Sequence, residues 1–339
     1  MTDGQTLRHG GALDVVEQLF PEAPRPWIDL STGINPWPWP VPQDILAAQD
    51  CLTTLPTQRD WDACKAAMAR SFDVPEAYVL PVPGSAMAIA LLPKVIPART
   101  VACLEPSYGD HKRVWHAAGA RVEALGDHRA IGSHADVAVL CNPNNPDGRC
   151  FGADDLLAIA ETIAEREGYL IVDEAYGELA PHLSLAQHVT SNRIIVLRSF
   201  GKFYGLGGVR LGAVVADPSV LERLARCLGD WPISTLALRI GAAAYGDTVF
   251  AEDTRTRLAN GRTRLDAILQ SAGLSIAGGT DLFRLVEAGD ADALWTHLAQ
   301  AGIYVRRFDW SPSLVRIGLP ATQADETRLE NALMAWQHL

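Results

Sequence analysis

A lysine and an arginine stand eight residues apart in a segment rich in glycine and aromatic residues. The segment is RSFGKFYGLGGVRLG, residues 198–212, and it contains Lys202 and Arg210. A lysine amine becomes nucleophilic when it is desolvated or lies beside a cation, because both lower its pKa. An arginine offers a fixed positive charge to an anion. Residues of these two types could supply a nucleophilic amine and an anion-binding group.

Two known phosphate-binding motifs have a similar composition, and neither fits this segment. A P-loop requires Ser or Thr directly after the lysine, whereas Phe203 follows Lys202. The glycine fingerprint of dinucleotide-binding proteins requires a glycine where GLGGVR has Arg210. The segment is therefore not predicted to bind a nucleotide.

Polar or small residues also follow other apolar segments, at the points where strands are predicted to end. They are Gly84, Ser85 and Ala86 after VLPV, Tyr108 after VACLEP, Asn142 after VAVLC, Asp173 and Tyr176 at the end of YLIVDE, and Ser199 before Lys202. Each alone has an ordinary structural explanation, such as a turn, a helix cap or a core aromatic residue. Because ligands of doubly wound sheets bind at the carboxyl ends of the strands, the whole set predicts one site.

Seven short apolar segments predict the strands that position these residues. They are VLPV at Val79, VACLEP at Val101, RVEAL at Arg121, VAVLC at Val137, YLIVDE at Tyr169, RIIVLRS at Arg193 and LGAVVAD at Leu211. Helical segments such as residues 154–166 separate several of them, which predicts a mainly parallel sheet with helices on both faces. Only about a dozen residues separate RIIVLRS from LGAVVAD. This is too few for an ordinary helical crossover, so one strand is predicted to be antiparallel.

The pattern changes at both ends of this α/β region. We predict an N-terminal arm at residues 1–42 that closes over the active site, a large cofactor-binding domain at 43–232 and a small α+β domain at 233–339. The small domain is predicted from helical segments at 236–272, strands at 282–286 and 304–306, and a helix from Asp325.

Composition excludes some classes of partner. The 339 residues carry a formal net charge of −11, which argues against binding to nucleic acid or to an anionic membrane surface. Six cysteines contain no CxxC pair, so neither a metal site nor a disulfide framework is indicated. The N-terminal residues lack an apolar signal core, and we expect a cytoplasmic protein.

Five motifs, taken in order, resemble the fold-type I pyridoxal-phosphate enzymes of the class I/II aminotransferase superfamily. They are Gly84-Ser85, Tyr108, Asn142-Pro-x-Asn-Pro, Asp173-x-x-Tyr176, and Ser199-x-x-Lys202 followed by Arg210. The resemblance covers about residues 30–319 and implies pyridoxal 5'-phosphate as cofactor.

The same resemblance implies a role for each residue of the motifs. Lys202 would bind the cofactor aldehyde covalently and then move protons at the substrate α-carbon. Ser199, Arg210 and the N–H groups of residues 84–86 would bind the cofactor phosphate. Asp173 would keep the pyridine nitrogen protonated. Asn142 and Tyr176 would hydrogen-bond the ring hydroxyl oxygen, and Tyr108 would stack on the ring.

One position departs from the family pattern. Many relatives carry a Tyr-Pro pair whose tyrosine reaches the cofactor phosphate of a partner subunit, whereas this chain has Leu55-Pro56. That contact between subunits is therefore left open, although the resemblance still implies a homodimer.

Segments outside the lysine region resemble one branch, the threonine-phosphate decarboxylases of cobalamin biosynthesis. These segments are RHGG at 8–11, DLSTGINPWPWP at 29–40, GGTDLFRL at 278–285 and GIYVRRF at 302–308. The branch decarboxylates O-phospho-L-threonine to (R)-1-amino-2-propanol phosphate. By this resemblance His9, Gly10, Asn35, Asn142, Arg306 and Arg316 would contact the substrate. Arg8 and Arg307 are either helpers or surface charges.

Two alternatives remain open on the sequence alone. A histidinol-phosphate aminotransferase would use the same cofactor, and the sequence does not reveal which α-carbon bond is held perpendicular to the cofactor ring. A binding protein that kept the fold but lost the chemistry is the second alternative, and the presence of Lys202, Asp173 and Arg210 argues against it.

Overall fold

Strands and helices alternate along most of the chain in the computed structural model, which describes residues 9–131, 134–190 and 193–336. The strands are β1 (Ile28–Asp29), β2 (Val79–Val82), β3 (Thr100–Leu104), β4 (Arg121–Leu125), β5 (Val137–Cys141), β6 (Tyr169–Glu174), β7 (Ile194–Ser199), β8 (Gly212–Val215), β9 (Ser275–Thr280), β10 (Phe283–Glu287), β11 (Ile303–Tyr304), β12 (Arg306–Phe308) and β13 (Ser311–Gly318). The α-helices are α1 (Leu13–Leu19), α2 (Gln43–Ala47), α3 (Asp50–Thr53), α4 (Gln58–Phe72), α5 (Ser85–Val95), α6 (Asp110–Ala117), α7 (Ala153–Ala164), α8 (Phe200–Phe203), α9 (Pro218–Leu228), α10 (Thr235–Gly246), α11 (Thr248–Ser271), α12 (Ala291–Gln300) and α13 (Gln323–Trp336). These elements form two compact units: unit 1 contains the described residues up to Trp37 and from Asp253 onward, and unit 2 contains Pro38–Glu252.

The seven predicted strands form one sheet in unit 2, in the order β2-β8-β7-β6-β5-β3-β4. Neighbours from β7 through to β4 are parallel, whereas β8 is antiparallel to both β7 and β2. The link from β7 to β8 is too short for a helical crossover, and this explains the reversed strand. The predicted mainly parallel sheet and its one reversed region are confirmed.

Helices cover this sheet because its central strands are buried along their length. Every residue of β5 is buried, and so are the residues of β6 after Tyr169. Helix α7 connects β5 to β6, close to the predicted range 154–166, and its buried residues Leu156, Ile159 and Ile163 recur at helical spacing. The sheet and its helices thus share one apolar core that holds the strand ends in place.

Unit 1 contains a four-stranded antiparallel sheet, in the order β12-β13-β10-β9, and the parallel pair β1–β11. The strands predicted at 282–286 and 304–306 correspond to β10 and to β11 with β12. Strands β9 and β13 were not predicted, because the glycines of SIAGGT and the Pro and Ser residues of SPSLVRIG weaken the strand pattern.

The bounds of the two units differ from the predicted domain bounds. Residues 38–42 and 233–252 belong to unit 2, where α10 packs against α4 and the Trp39 amide donates to the Tyr204 carbonyl at 2.9 Å. Closure of residues 1–42 over an active site stays a prediction. Across the described ranges, no helix is long and apolar enough to cross a membrane.

Candidate active site

The residues that follow the strands of unit 2 line one cavity. The cavity has a volume of about 190 Å³ and is partly open to solvent. Its lining includes Gly84, Ser85, Ala86, Tyr108, Cys141, Pro143, Asn145, Asp173, Tyr176, Ser199, Lys202 and Arg210. Because parallel strands end at one edge of the sheet, residues far apart in the chain meet here. The structure thus brings together the sequence-predicted residues of unit 2 except Asn142.

Lys202 is held by a short helix at the end of β7. Helix α8 begins directly after Ser199, and its aromatic residues Phe200 and Phe203 are fully buried. Phe200 stacks on Tyr204 with ring centroids 4.7 Å apart, which anchors the helix in the core. The Lys202 Nζ atom lies 6.0 Å from the centre of the Tyr176 ring. The amine is therefore fixed in the cavity by packing around it.

An anion cradle lies beside the lysine. Gly84 has a φ of +82°, and a Cβ atom added there would lie 2.8 Å from Arg210 Nη2, so a larger residue would displace the guanidinium. Helix α5 begins at Ser85, and Gly84 provides no side chain to cap its first N–H groups. A helix N-terminus and an arginine together attract a phosphate or another anion. This geometry fits the predicted phosphate site.

Asp173 lies near the end of β6 and is almost fully buried. Its Oδ1 atom accepts a hydrogen bond from the Ala175 amide at 3.0 Å. Its Oδ2 atom lies 2.8 Å from His111 Nε2. A carboxylate can accept further hydrogen bonds on each oxygen, so Asp173 retains capacity for a donor in the cavity.

His111 is a residue of the site that the sequence analysis did not identify. Burial alone would lower the pKa of its imidazole, but hydrogen bonds and charge from Asp173 and Cys141 raise the pKa to about 10. This raised pKa favours the charged imidazole at neutral pH, and the hydrogen bond ties the imidazole to the Asp173 carboxylate. No local motif marks it in the sequence, because its place on the helix that follows β3 gains meaning only from the contact with Asp173.

His111, Cys141 and Asp173 place one potential metal-ligand atom each within 4.8 Å of one another. A protonated imidazole donates hydrogen bonds and cannot ligate a metal ion. The cluster is therefore explained by hydrogen bonding to a cationic histidine.

Tyr108 lines the cavity beside this group. Its hydroxyl donates to Asp110 Oδ2 at 2.9 Å, and its ring packs edge-on against His111 with centroids 5.9 Å apart. Burial and the neighbouring Asp110 carboxylate raise the pKa of the Tyr108 hydroxyl. The ring is thus oriented by two contacts, as a stacking residue requires.

The asparagine loop after β5 differs from the prediction. Asn142 is buried outside the cavity lining, and its side chain exchanges hydrogen bonds with the Phe151 backbone, at 3.1 Å to the carbonyl and 3.0 Å from the amide. Asn145, three residues later, lines the cavity. The structure therefore favours Asn145 over Asn142 for the role of contacting a cofactor or substrate.

In unit 1, two of the predicted substrate-binding arginines are neighbours. Arg306 and Arg316 are cross-strand partners in the β12–β13 pair. Arg316 is buried, and its Nη2 donates to the Ser31 carbonyl at 2.5 Å. Burial lowers the pKa of Arg306, and the charge of Arg316 lowers it further. Two guanidinium groups held side by side favour binding of an anion between or beside them.

The other predicted residues of unit 1 lie near the same strands. The His9 carbonyl accepts from the Tyr304 hydroxyl at 3.4 Å, and Gly10 lies against the Ser31 backbone. Asn35 is buried, and its Oδ1 accepts from the Trp37 amide at 2.9 Å, which forms a local turn.

The sequence left the role of two arginines open, and the structure describes one of them. Arg307 pairs with Asp292 near the surface, which favours a surface charge. Arg8 lies outside the described residues.

A comparison with protein families identifies the family of this chain. The model of the family described as aminotransferase class I and II matches residues 25–334. This chain belongs to the aminotransferase class I and II family. The match includes all strands that position the cavity of unit 2.

Relatives within the aminotransferase class I and II family extend over almost the whole chain. A threonine-phosphate decarboxylase from Sinorhizobium sp is 41% identical over 328 residues, which cover 96% of this chain and 97% of the relative. Another from Pseudomonas aeruginosa is 36% identical and covers 98% of both chains. Among solved structures, a histidinol-phosphate aminotransferase from Sinorhizobium meliloti in complex with pyridoxal-5'-phosphate superimposes with a TM-score of 0.86 at 21% identity, over 96% of this chain and 94% of that one.

The cavity of this family member fits a group such as pyridoxal phosphate on its own chemistry. It contains one amine, Lys202, one anion cradle, at Gly84 and Arg210, and one carboxylate, Asp173, supported by a buried cation. An aldehyde, a phosphate and a protonated ring nitrogen are the partners that these three groups recognise.

Proposed function

We propose that this protein is a pyridoxal-phosphate-dependent decarboxylase that converts O-phospho-L-threonine to (R)-1-amino-2-propanol phosphate and CO2, a step of cobalamin biosynthesis. The observation that carries the proposal is the single cavity in which Lys202, Asp173 and Arg210 meet. The 41% identity to a threonine-phosphate decarboxylase, over almost the full length of both chains, supports the choice of reaction.

The residues of the cavity would hold the cofactor at three points. Lys202 would attach to its aldehyde, Arg210, Ser199 and the start of helix α5 would bind its phosphate, and Asp173 would keep its ring nitrogen protonated. When bound, pyridoxal phosphate supplies a ring that accepts the electron pair released at the substrate α-carbon. Tyr108, Tyr176 and Asn145 would orient the ring from its face and edge.

Lys202 has a second role once substrate has taken its place on the cofactor. In the decarboxylation, the bond from the α-carbon to the carboxyl carbon breaks and CO2 leaves. A proton then replaces the carboxyl group on the α-carbon. The Lys202 amine is the acid of the cavity that can deliver this proton. His111 keeps the Asp173 carboxylate paired during the step.

The substrate would present two anionic groups, a phosphate and a carboxylate. We propose that Arg306 and Arg316 bind one or both of these groups. The two residues are cross-strand partners, and burial and the charge of Arg316 lower the pKa of Arg306, so a bound anion would stabilise the charged arginine. His9, Gly10 and Asn35 are proposed to contact the substrate as well. Buried Arg316 is positioned for this by its hydrogen bond to Ser31.

A histidinol-phosphate type of aminotransferase is the alternative, since it would use the same cavity but require an oxo acid. The purified protein, loaded with pyridoxal phosphate, is incubated with O-phospho-L-threonine and no oxo acid. We expect many turnovers of CO2 and aminopropanol phosphate. Product formation that depends on an added oxo acid would replace our proposal by the aminotransferase.

We further propose that the enzyme is a homodimer in the cytoplasm. Three large apolar side chains of unit 2, Leu52, Leu55 and Trp231, are 82%, 62% and 57% exposed and are accessible to a partner subunit. Trp231 and Pro56, the neighbour of Leu55, line one surface cavity. The six cysteines are all unpaired, as in proteins of reducing compartments.

A further inference from the structure

A buried ionic cluster lies directly behind the proposed cofactor site and has no part in the chemistry described above. Arg198 is the residue before Ser199 on β7, and Glu174 is the residue after Asp173 on β6. The two are Cα partners in the parallel β6–β7 pair. Glu178, in the turn after β6, completes the cluster, and all three side chains are at least nine-tenths buried.

The guanidinium of Arg198 joins both carboxylates. Its Nη1 donates to Glu174 Oε2 at 2.8 Å, and its Nη2 donates to Glu178 Oε1 at 2.9 Å. Its central carbon lies 4.7 Å from the centre of the Phe72 ring, which closes the cluster on one side. A single planar group therefore fixes two points of the turn between Glu174 and Glu178.

The turn itself is built closely around this guanidinium. A Cβ atom added at Gly177 would lie 2.7 Å from Arg198 Nη1, so only glycine permits the approach. Glu174 is further held because its Oε1 accepts from the Leu185 amide at 2.7 Å and its Oε2 accepts from the Ser184 hydroxyl at 2.6 Å. The segment from 174 to 178 is thus held by hydrogen bonds to Arg198, Ser184 and Leu185.

The electrostatic cost of the cluster indicates that stability is not its main purpose. Burial raises the pKa of Glu174, and the charge of Arg198 opposes that rise. Buried ion pairs often stabilise a fold less than apolar residues of similar size, because desolvation offsets the attraction. In some proteins such pairs instead specify a unique geometry, and that is our hypothesis for this cluster.

The geometry fixed here is that of the proposed cofactor site. Tyr176 lies between the two carboxylates in sequence, and its ring centre lies 6.0 Å from Lys202 Nζ. Asp173 precedes the first carboxylate, and Ser199 follows the arginine. We propose that Arg198 is a positioning residue for the site: by bridging Glu174 and Glu178 it sets Asp173 and Tyr176 against Ser199 and Lys202. This inference rests on the proposed function for its kinetic readout.

The test replaces Arg198 by lysine, which keeps the charge but lacks the planar fork that holds both carboxylates in one geometry. We expect Arg198→Lys to lower kcat about 10-fold to 100-fold, as small displacements of catalytic groups do, with KM within about threefold of wild type. The visible circular dichroism of bound pyridoxal phosphate shifts, and hydrogen exchange of residues 173–185 in the cofactor-free protein becomes faster. Arg193→Lys is the matched control, because Arg193 is exposed and directly precedes the same strand. It should leave kcat, the dichroism and the hydrogen exchange unchanged.

A second variant covers the case in which Arg198→Lys does not fold. Glu178→Gln keeps the shape and an acceptor oxygen but removes one charge, and it is expected to shift the same dichroism signal and lower kcat. If the folded variants keep wild-type dichroism, kcat and exchange and lose only thermal stability, the positioning role is refuted. A wild type that binds pyridoxal phosphate but releases no CO2 would refute the proposed function alone, because dichroism and exchange would still test Arg198.

Discussion

The imidazole of His111 lies 2.8 Å from the carboxylate of Asp173, and both side chains are almost completely buried. The pair joins the helix after β3 to the end of β6, so two separate strand ends are tied together at the cavity wall. In the proposed function, this hydrogen bond would orient the Asp173 carboxylate toward the ring nitrogen of the cofactor.

The first prediction concerns the pH dependence of stability in the cofactor-free protein. The pKa of His111 is raised from 6.5 to about 10 in the folded state. Folding is therefore coupled to uptake of a proton at pH values between 6.5 and 10. Stability from the pair is complete below about pH 6.5 and is lost as pH rises toward 10. We expect His111→Gln to reduce the free energy of unfolding by about 3 kcal/mol at pH 6, as breaking a buried pair does, and by much less at pH 10.

Denaturant unfolding at several pH values measures this effect. His116→Gln, on the exposed side of the same helix, is the control and should follow the wild type. An equal loss at pH 6 and pH 10 would mean that the histidine is not charged in the folded protein.

The second prediction separates the two asparagines of the loop after β5. Asn145→Ala should weaken pyridoxal phosphate binding or shift its absorption, because Asn145 lines the cavity. Asn142→Ala should lower stability by about 1–3 kcal/mol, because the buried Phe151 amide and carbonyl lose their partners. Cofactor titration and thermal unfolding of both variants are the measurements. The reverse assignment of effects would restore the role first predicted for Asn142.

The third prediction concerns the arginines of unit 1. Arg306→Gln should raise KM for O-phospho-L-threonine about 10-fold to 100-fold, the range for losing one charged hydrogen bond. The effect on kcat should be smaller. Arg307→Gln is the control, because Arg307 pairs with Asp292 and should not affect KM. Steady-state kinetics decides, and equal effects of the two variants would contradict the proposed substrate contact.

The fourth prediction concerns the apolar surface of unit 2. Trp231→Glu places a charge on a side chain that is 57% exposed, and we expect it to shift the protein from dimer to monomer in sedimentation velocity. Met334→Glu, at an exposed position of unit 1, should leave the wild-type mass unchanged. A wild type that sediments as a monomer would exclude the proposed homodimer, and a dimeric Trp231→Glu would exclude this surface as its interface.

The fold of unit 2 could be predicted because its strands are continuous apolar segments with clear ends. YLIVDE and VAVLC coincide with β6 and β5 residue for residue. Strands β9 and β13 of unit 1 could not be predicted in the same way. They contain glycine, serine and proline, and their pairing partners rather than their own composition make them strands.

The site could be predicted where a residue lies at the end of a predicted strand or just after it, as Asp173 and Lys202 do. His111 could not, because its role depends on the rotation of helix α6 toward Asp173 and not on any local motif. The sequence also could not distinguish the role of Asn142 from that of Asn145. The two lie in similar Asn-Pro pairs, and only the folded loop reveals which side chain faces the cavity.

The most direct test of the account is chemical reduction of the loaded enzyme. The chain has only four lysines, Lys65, Lys94, Lys112 and Lys202, so a covalent cofactor adduct can be located with little background. The protein is incubated with pyridoxal phosphate, reduced with borohydride and digested with trypsin, with Lys94→Ala and Lys202→Ala as paired variants. The account predicts a reduced pyridoxyl phosphate on the peptide of residues 199–210 in the wild type and in Lys94→Ala, and none in Lys202→Ala. An unmodified Lys202 in the wild type, or unchanged CO2 release by Lys202→Ala, would contradict it.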